Sequence, residues 1–469
     1  MTRRFGAIAG LLALLAGCSG GGGTVSAPGG GTGSQGPAAC STLDRQNWVS
    51  AQMREWYLFP ETLPGSINPA SYSTVDAFLD ALTATARAQG RDRYFTYLTS
   101  IAEENAYYNS GSSAGFGIRL AYSGSRLFVA EAFEGAPALA AGIDRGTEIL
   151  AIGTSANNLR SVSAILASEG SAGIANALGP DTAGTTRVLQ VTDAASGKRT
   201  LTIAKADYEI APVSSRYGAR ILTEGGVQYG YVNLRTFISP ADPALRQAFA
   251  QFRAAGVTHL IVDLRYNGGG LVSIAELVGD LMGGARNSGQ VFDYMTFRPE
   301  KSSQNSVHYF TAQPEAIAPV RVAFIGTGGT ASASELVING ALPYFHANAA
   351  LIGSNTYGKP VGQIAIDRSE CDDRLRVIAF AVENANHQSG YFSGLAGTVE
   401  ASCQAGDDIT HPMGDPAESS TRAALDFLQG KSCTAIASGG QSAQSVTARR
   451  ELLIPDRPST AQREVPGLF

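Results

Sequence analysis

The chain has 469 residues, enough for two or three domains rather than one small one. A hydrophobic content of 44% argues against a disordered chain. The net charge of −5, with acids and bases interspersed, leaves no basic stripe to attract nucleic acid.

At the N-terminus Arg3 and Arg4 precede a 12-residue apolar run over 5–16, ending in Leu15-Ala16-Gly17-Cys18. A bilayer-spanning helix takes about 20 residues, so residues 1–17 read as a signal peptide. The L-A-G-C ending resembles the bacterial lipobox, which implies cleavage before Cys18 and lipid attachment to it. The plainer alternative is an ordinary signal peptide with an incidental cysteine. No other stretch is apolar enough to span a membrane. The expectation is a cell-envelope protein, lipid-anchored at Cys18 and facing the periplasm, with Ser19 favouring the outer membrane. Residues 18–39 form a Gly/Ser-rich tether, with nine glycines, whose random-coil reach is roughly 25 Å. Cys40, Cys371, Cys403 and Cys433 would meet an oxidising compartment, where three pairings are open. The expected one is Cys371–Cys403 with Cys40–Cys433. With no C-x-x-C spacing and five scattered histidines, neither a metal site nor another cofactor is expected.

Residues 40–110 read as a helical domain. Val49, Met53 and Trp56 repeat at i, i+4 and i+7, and Phe78, Leu79 and Leu82 mark a second helix. Trp48 and Trp56 are read as core rather than binding residues. Residues 111–206 change character, with short β-type runs at 127–130, 148–152, 188–191 and 200–203. Helical patches interrupt them near 136–141 and 162–167. Gly115-Phe116-Gly117-Ile118, followed by G-A-P-A-L-A-A-G-I-D-R-G-T-E-I-L-A-I-G, resembles a PDZ domain. The resemblance implies that Gly115, Phe116, Gly117 and Ile118 form a peptide carboxylate-binding loop. Adjacent N–H groups in a glycine loop suit that task while the peptide adds a strand to the sheet edge. The alternative is a glycine turn in some other β domain, and Thr147 departs from the Asp usual in PDZ domains of this type.

After a connector at 207–220 the pattern becomes α/β. Strands are predicted at 229–234, 260–264, 320–325 and from 351, with helices at 243–255, 271–282 and 333–345. Such alternation implies parallel strands with helices packed on them, over a core spanning 207–433. The polar tail at 434–469 is expected to be poorly ordered.

The chemistry concentrates at 330–363. Gly326-x-Gly328-x-x-Ala331 imitates a dinucleotide fingerprint, but no Asp or Glu follows at the distance a ribose needs. Gly353-x-x-x-x-Gly358-Lys359 imitates a P-loop, yet position 360 is Pro where magnesium would need Ser or Thr. Ser332 opens S-x-x-E, which taken alone is a helix capping box with Glu335. A serine at a helix start also has free N–H groups and a positive dipole end beside it, suited to an oxyanion. Lys359 sits in a 31-residue stretch, 336–366, that contains no carboxylate. A lysine base must be neutral at working pH, which costs about 4 kcal/mol, met by burial and the lack of a counter-ion.

T-A-S-A-S-E at 330–335, T-Y-G-K-P-V-G-Q at 356–363 and L-I-V-D-L-R-Y-N-G-G-G at 260–270 together resemble the C-terminal processing (tail-specific) serine peptidases of family S41. The order of helical segment, PDZ domain and α/β core agrees across roughly 41–430, and Asp92-Arg93-Tyr94-Phe95 resembles the family's D-R-F-S segment. The implied fold is a crotonase/ClpP-like α/β core with an N-terminal helical segment and an inserted PDZ-like β domain. The resemblance makes Ser332 the nucleophile, Lys359 its base and Gln363 the residue that orients the lysine. It makes the N–H groups of Gly269 and Ala333 the oxyanion donors, and protein or peptide chains the substrates. The spacing between Ser332 and Lys359 is about two residues longer than in the best-known members, and an acid often found after the nucleophile helix is absent. A tricorn-like branch uses a histidine base, which leaves His259, His308 and His346 as alternatives. Asp263 and Arg265 read as a structural pair. The rival functions are a catalytically silent peptide-binding lipoprotein and an esterase on the same core.

Overall fold

The computed structural model describes residues 40–286, 288–437 and 450–469. The expected signal peptide, Cys18 and the tether lie outside the described residues. The side chains of Ser41 and Thr74 accept the N–H groups of Asp44 and Ala77, capping α1 (Thr42–Trp56) and α2 (Val75–Ala88). Strand β1 (Tyr97–Ser100) and α3 (Ile101–Ser110) follow. The apolar faces of α1 and α2, including Val49, Met53, Phe78, Leu79 and Leu82, close over Val361, Leu375, Val377 and Ile378. The helical segment therefore has no core of its own. It shares one with the strands that carry the lysine turn.

The inserted domain runs β2 (Ser112–Gly115), β3 (Ile118–Ser123), β4 (Arg126–Ala132), α4 (Pro137–Ala140), β5 (Glu148–Gly153), β6 (Arg160–Ser161), α5 (Val162–Leu178), β7 (Thr186–Asp193), β8 (Gly197–Ala204) and β9 (Ala206–Glu209). β2 pairs with β9 as a two-stranded neck. β3, β4, β5, β7 and β8 form an antiparallel sheet in that order. Its core of Ile118, Leu120, Val129, Ile149, Ile165 and Leu189 also takes in Leu453 and Phe469 from the far end of the chain.

The core runs β10 (Arg220–Glu224), β11 (Val227–Asn233), α6 (Ala241–Ala254), β12 (His259–Asp263), α7 (Val272–Met282), β13 (Val291–Phe297), β14 (Ser306–Tyr309), β15 (Arg321–Gly326), α8 (Ala333–Phe345), β16 (Ala349–Gly353), β17 (Val361–Arg368), β18 (Asp373–Asn384), β19 (Ala401–Gln404) and α9 (Ser419–Leu428). Strands β10, β11, β12, β15, β16 and β19 form one sheet in that order, parallel from β11 onward. Phe249, Val278 and Val337 of α6, α7 and α8 cover one face, and Leu425 and Leu428 of α9 cover the other. Two covered faces explain why these strands read as unbroken apolar runs. A second, antiparallel sheet joins β1, β18, β13 and β14, with β17 on β18. Arg265 lies between Asp263 and Glu418 at 2.9 Å from each, and Tyr231 donates to Asp263 at 2.7 Å. The group is fully buried, and Glu418 also caps α9. Asp263 and Arg265 are thus structural.

Two expectations are corrected. The disulfides are Cys40–Cys371 and Cys403–Cys433, with Cα–Cα distances of 5.6 and 5.4 Å. α1 packs on β18, which brings Cys40 to the turn between β17 and β18, and the segment leaving α9 runs beside β19. The tail is also not loose where it is described. β20 (Glu451–Leu452) pairs with β3, and α10 (Thr460–Glu464), capped by Ser459, packs on α3. Leu453, Val465, Leu468 and Phe469 are at most 3% exposed. Apolar residues scattered among polar ones fill gaps between domains here, so the tail has no periodicity of its own to read.

Candidate active site

β15 ends in a turn at 327–331 that delivers Ser332 to the start of α8. Ser332 has φ +56 and ψ −117, a strained conformation for a non-glycine residue. It is held there from both sides. Ala331 donates its N–H to the Asn267 carbonyl at 2.9 Å, and the Ser332 N–H donates to the Glu335 carboxylate at 3.1 Å.

Glu335 does more than cap the helix. Its oxygens also accept the N–H groups of Gly358 at 2.6 Å and Lys359 at 2.7 Å. One buried carboxylate thereby ties the serine turn to the lysine turn. Burial raises its pKa above the ordinary carboxylate value, against the pull of the Thr356 hydroxyl and the backbone donors. Its oxygens face these backbone donors as acceptors. The motif S-x-x-E signalled the cap, but nothing in the sequence signalled the bridge.

Lys359 lies one residue beyond Gly358, whose φ is +92 and where a Cβ would come 2.4 Å from the Phe392 carbonyl oxygen. Its Nζ donates to Gln363 Oε1 at 2.9 Å, and Gln363 Nε2 donates in turn to the Phe95 carbonyl. Burial holds the ammonium below the ordinary lysine value, with the Glu464 carboxylate as the largest opposing influence. Among the described residues no carboxylate oxygen lies within 4.0 Å of Nζ, and Ser332 Oγ and Lys359 Nζ form no hydrogen bond. The segment at 92–95 is what locks this turn. Asp92 accepts the N–H groups of Phe95 and Thr96 at 2.8 and 3.2 Å, and Arg93 donates to the carbonyls of Tyr357 and Gly358 at 2.7 and 2.5 Å.

Gly269 has φ +120, and a Cβ there would lie 2.7 Å from Ser332 Cβ and 3.1 Å from the Ala333 nitrogen. The two expected oxyanion donors therefore flank the serine. The Gly269 N–H donates to Asn267 Oδ1 at 2.9 Å, and the neighbouring Gly268 N–H donates to the Glu464 carbonyl at 2.9 Å. The site opens on a cleft of about 1910 Å³ lined by Phe95, Gly268, Ala331, Lys359 and Glu464. The three alternative histidines are elsewhere. His259 stacks edge-on against Tyr229, His308 reaches Asp280, and His346 reaches Glu400.

The backbone of the loop at 115–118 is engaged by the chain itself. The N–H groups of Gly117 and Ile118 donate to the Phe469 carbonyl at 2.9 and 3.2 Å. Arg119, fully buried and paired with Glu131, donates to the carbonyls of Tyr266 and Pro466 at 2.9 and 2.7 Å.

Residues 228–400 match the model of peptidase family S41, and residues 44–97 match the peptidase S41 N-terminal domain. The chain is 32% identical over 281 residues to a chloroplastic C-terminal processing peptidase of Tetradesmus obliquus, covering 56% of this chain and 54% of that one. It is 28% identical over 207 residues to a carboxyl-terminal-processing protease of Synechocystis sp., covering 44% of this chain and 45% of that one. The alignments thus span about half the length of these relatives. A crystal structure described as an S41 protease of Bacteroides fragilis NCTC 9343 has the same fold. It superposes with a TM-score of 0.63 at 23% identity, over 82% of this chain and 97% of that one.

Proposed function

We propose that the chain is a serine endopeptidase working through a Ser332–Lys359 dyad on exported proteins or peptides, tethered to the outer membrane by a lipid on Cys18. The observation that carries this reading is the lysine turn. A lysine held below its ordinary pKa, aimed by Gln363 and bridged through Glu335 to a strained serine, suits a general base and suits little else. In this mechanism neutral Lys359 takes the proton from Ser332 Oγ as that oxygen attacks a peptide carbonyl. The N–H groups of Ala333 and Gly269 hold the oxyanion, the latter turning from Asn267 Oδ1. Lys359 then returns the proton to the leaving amine, and water resolves the acyl-enzyme. The inserted domain is read as PDZ-like, with the loop at 115–118 and the edge of β3 holding a peptide strand.

The test compares cleavage of an unstructured protein by wild type, Ser332→Ala and Lys359→Ala. The expected result is a loss of at least about 10³-fold in kcat for both variants. Variants that cleave as well as wild type would end the dyad assignment.

A further inference from the structure

Residues 450–469 pass over both functional features of the chain. Starting from the far end, the Phe469 carbonyl takes the two N–H groups of the 115–118 loop, and its N–H donates to the Ile118 carbonyl at 2.9 Å. The Leu120 N–H donates to the Gly467 carbonyl at 2.8 Å, and Leu468 bridges Arg119 in antiparallel sense. This is strand addition to the open edge of β3, with the Phe469 side chain in the core of the inserted domain. Five residues earlier the same segment lies on the glycine turn beside Ser332. The Glu464 carbonyl accepts the Gly268 N–H, and a Cβ on Gly268 would come 2.2 Å from the Arg463 carbonyl. No room remains there for a second peptide backbone.

The rest of the segment is held by buried apolar anchors, Leu453, Ala461, Val465 and Leu468, and by polar contacts between side chains and backbone. Arg463 donates to the Tyr94 carbonyl at 3.1 Å, Tyr108 to Glu464 at 3.0 Å, and Gln462 to Asp181 at 2.7 Å. Arg457, more than half exposed, pairs with Asp76 and Asp80. Ion pairs of that kind add at most about 1 kcal/mol each. The contacts at 467–469 are backbone bonds and one apolar side chain in a core, a set that another peptide strand with a bulky apolar end can copy.

We infer that residues 450–469 are an intramolecular ligand of the peptide groove, laid across the glycine turn at Ser332, which an incoming peptide must displace. The displacing chain needs a bulky apolar residue where Phe469 sits and free backbone groups opposite 118–120. This rests on the peptidase reading for its consequence, but the occupancy itself does not. Covalent attachment gives the segment an effective concentration on the order of 1 mM at the groove, against which an incoming peptide competes.

The experiment uses the full chain carrying Ser332→Ala, with and without Leu468→Asp and Phe469→Asp, and a fluorescein-labelled peptide with the sequence of residues 460–469. The expected result is binding at least about tenfold tighter to the tail-substituted protein. Equal binding to both, or binding to neither, overturns the inference. Removal of 465–469 serves as the second variant if the double substitution abolishes the cooperative thermal melt. In the Ser332 background, tail substitution is expected to raise cleavage of an unstructured protein about tenfold at low substrate. If no form cleaves yet binding follows the tail, the peptidase reading fails and the inference stands. If wild type excises its own tail while Ser332→Ala keeps it, the segment is a substrate, and the inference falls.

Discussion

Glu335→Gln separates a helix cap from a bridge between two turns. The wild-type carboxylate presents one oxygen to Gly358 and the other to Ser332 and Lys359. The amide has the same shape but a single acceptor, so its NH2 must face a backbone donor. The least costly rotamer turns the NH2 to Gly358, losing one charge-assisted bond and stranding a buried N–H. Those two effects sum to about 2–4 kcal/mol of stability. A lost cap alone costs about 1 kcal/mol. The displaced turn also carries Lys359, and a misplacement on the order of 1 Å at a reacting group costs about 10²-fold. The assay is urea unfolding together with steady-state cleavage of an unstructured protein. The expected outcome is a folded enzyme with kcat down about 10²-fold and KM little changed, and no rescue by Glu335→Asp, whose shorter arm cannot span both turns. A folded Glu335→Gln enzyme with kcat within threefold of wild type would refute the bridge as a positioning device.

The lysine carries a stability signature. Burial lowers its folded pKa, so from that value up to about 10.4 the unfolded chain binds a proton that the folded protein does not, and stability rises with pH through that window. Lys359→Met is therefore expected to be more stable than wild type at neutral pH, with the difference shrinking towards pH 10 in urea titrations, and inactive throughout. Gly269→Ala forces a Cβ to 2.7 Å from Ser332 Cβ at φ +120, and a fall in kcat of about 10²-fold is expected in the cleavage assay. Replacing Cys403 and Cys433 by Ser frees a loop of sequence separation 30, with an expected loss of about 3–4 kcal/mol in urea unfolding. Glu464→Gln removes the carboxylate that most favours charged Lys359, so the Nζ titration followed by NMR in Ser332→Ala protein should move to lower pH. A shift to higher pH would contradict that origin.

The α/β core was legible because its strands are buried on both faces and its helices carry one apolar stripe. Helix α8 matches its expected bounds, and the parallel order follows from the alternation of elements. The second sheet was not legible. β17 is half-exposed and mixed in sequence, and the apolar run at 377–382 of β18 marks a buried strand without naming its partners. Ser332 and Lys359 stood out because they lie in or beside glycine-rich turns, and Gln363, on β17, because it closes the motif at 356–363. Asp92, Arg93 and Asn267 stood in motifs that were noticed, but their roles, holding backbone carbonyls and N–H groups, leave no mark in a one-dimensional pattern. The cysteine pairing failed for the same reason. Spacing alone does not say that α1 lies against β18.

The stretch 336–366 contains no carboxylate, so no partner local in sequence holds Lys359 charged. That inference holds along the chain but not across it, because Glu464 arrives from the tail. Its carboxylate opposes the burial that neutralises the lysine, while its carbonyl takes the Gly268 N–H beside the expected oxyanion donor. Both effects act in one direction, towards a resting site with a more protonated base and a covered glycine turn. Release of the tail would reverse both together. On the proposed reading, a substrate strand that replaces residues 465–469 on β3 would position itself and move the Glu464 carboxylate away from Lys359.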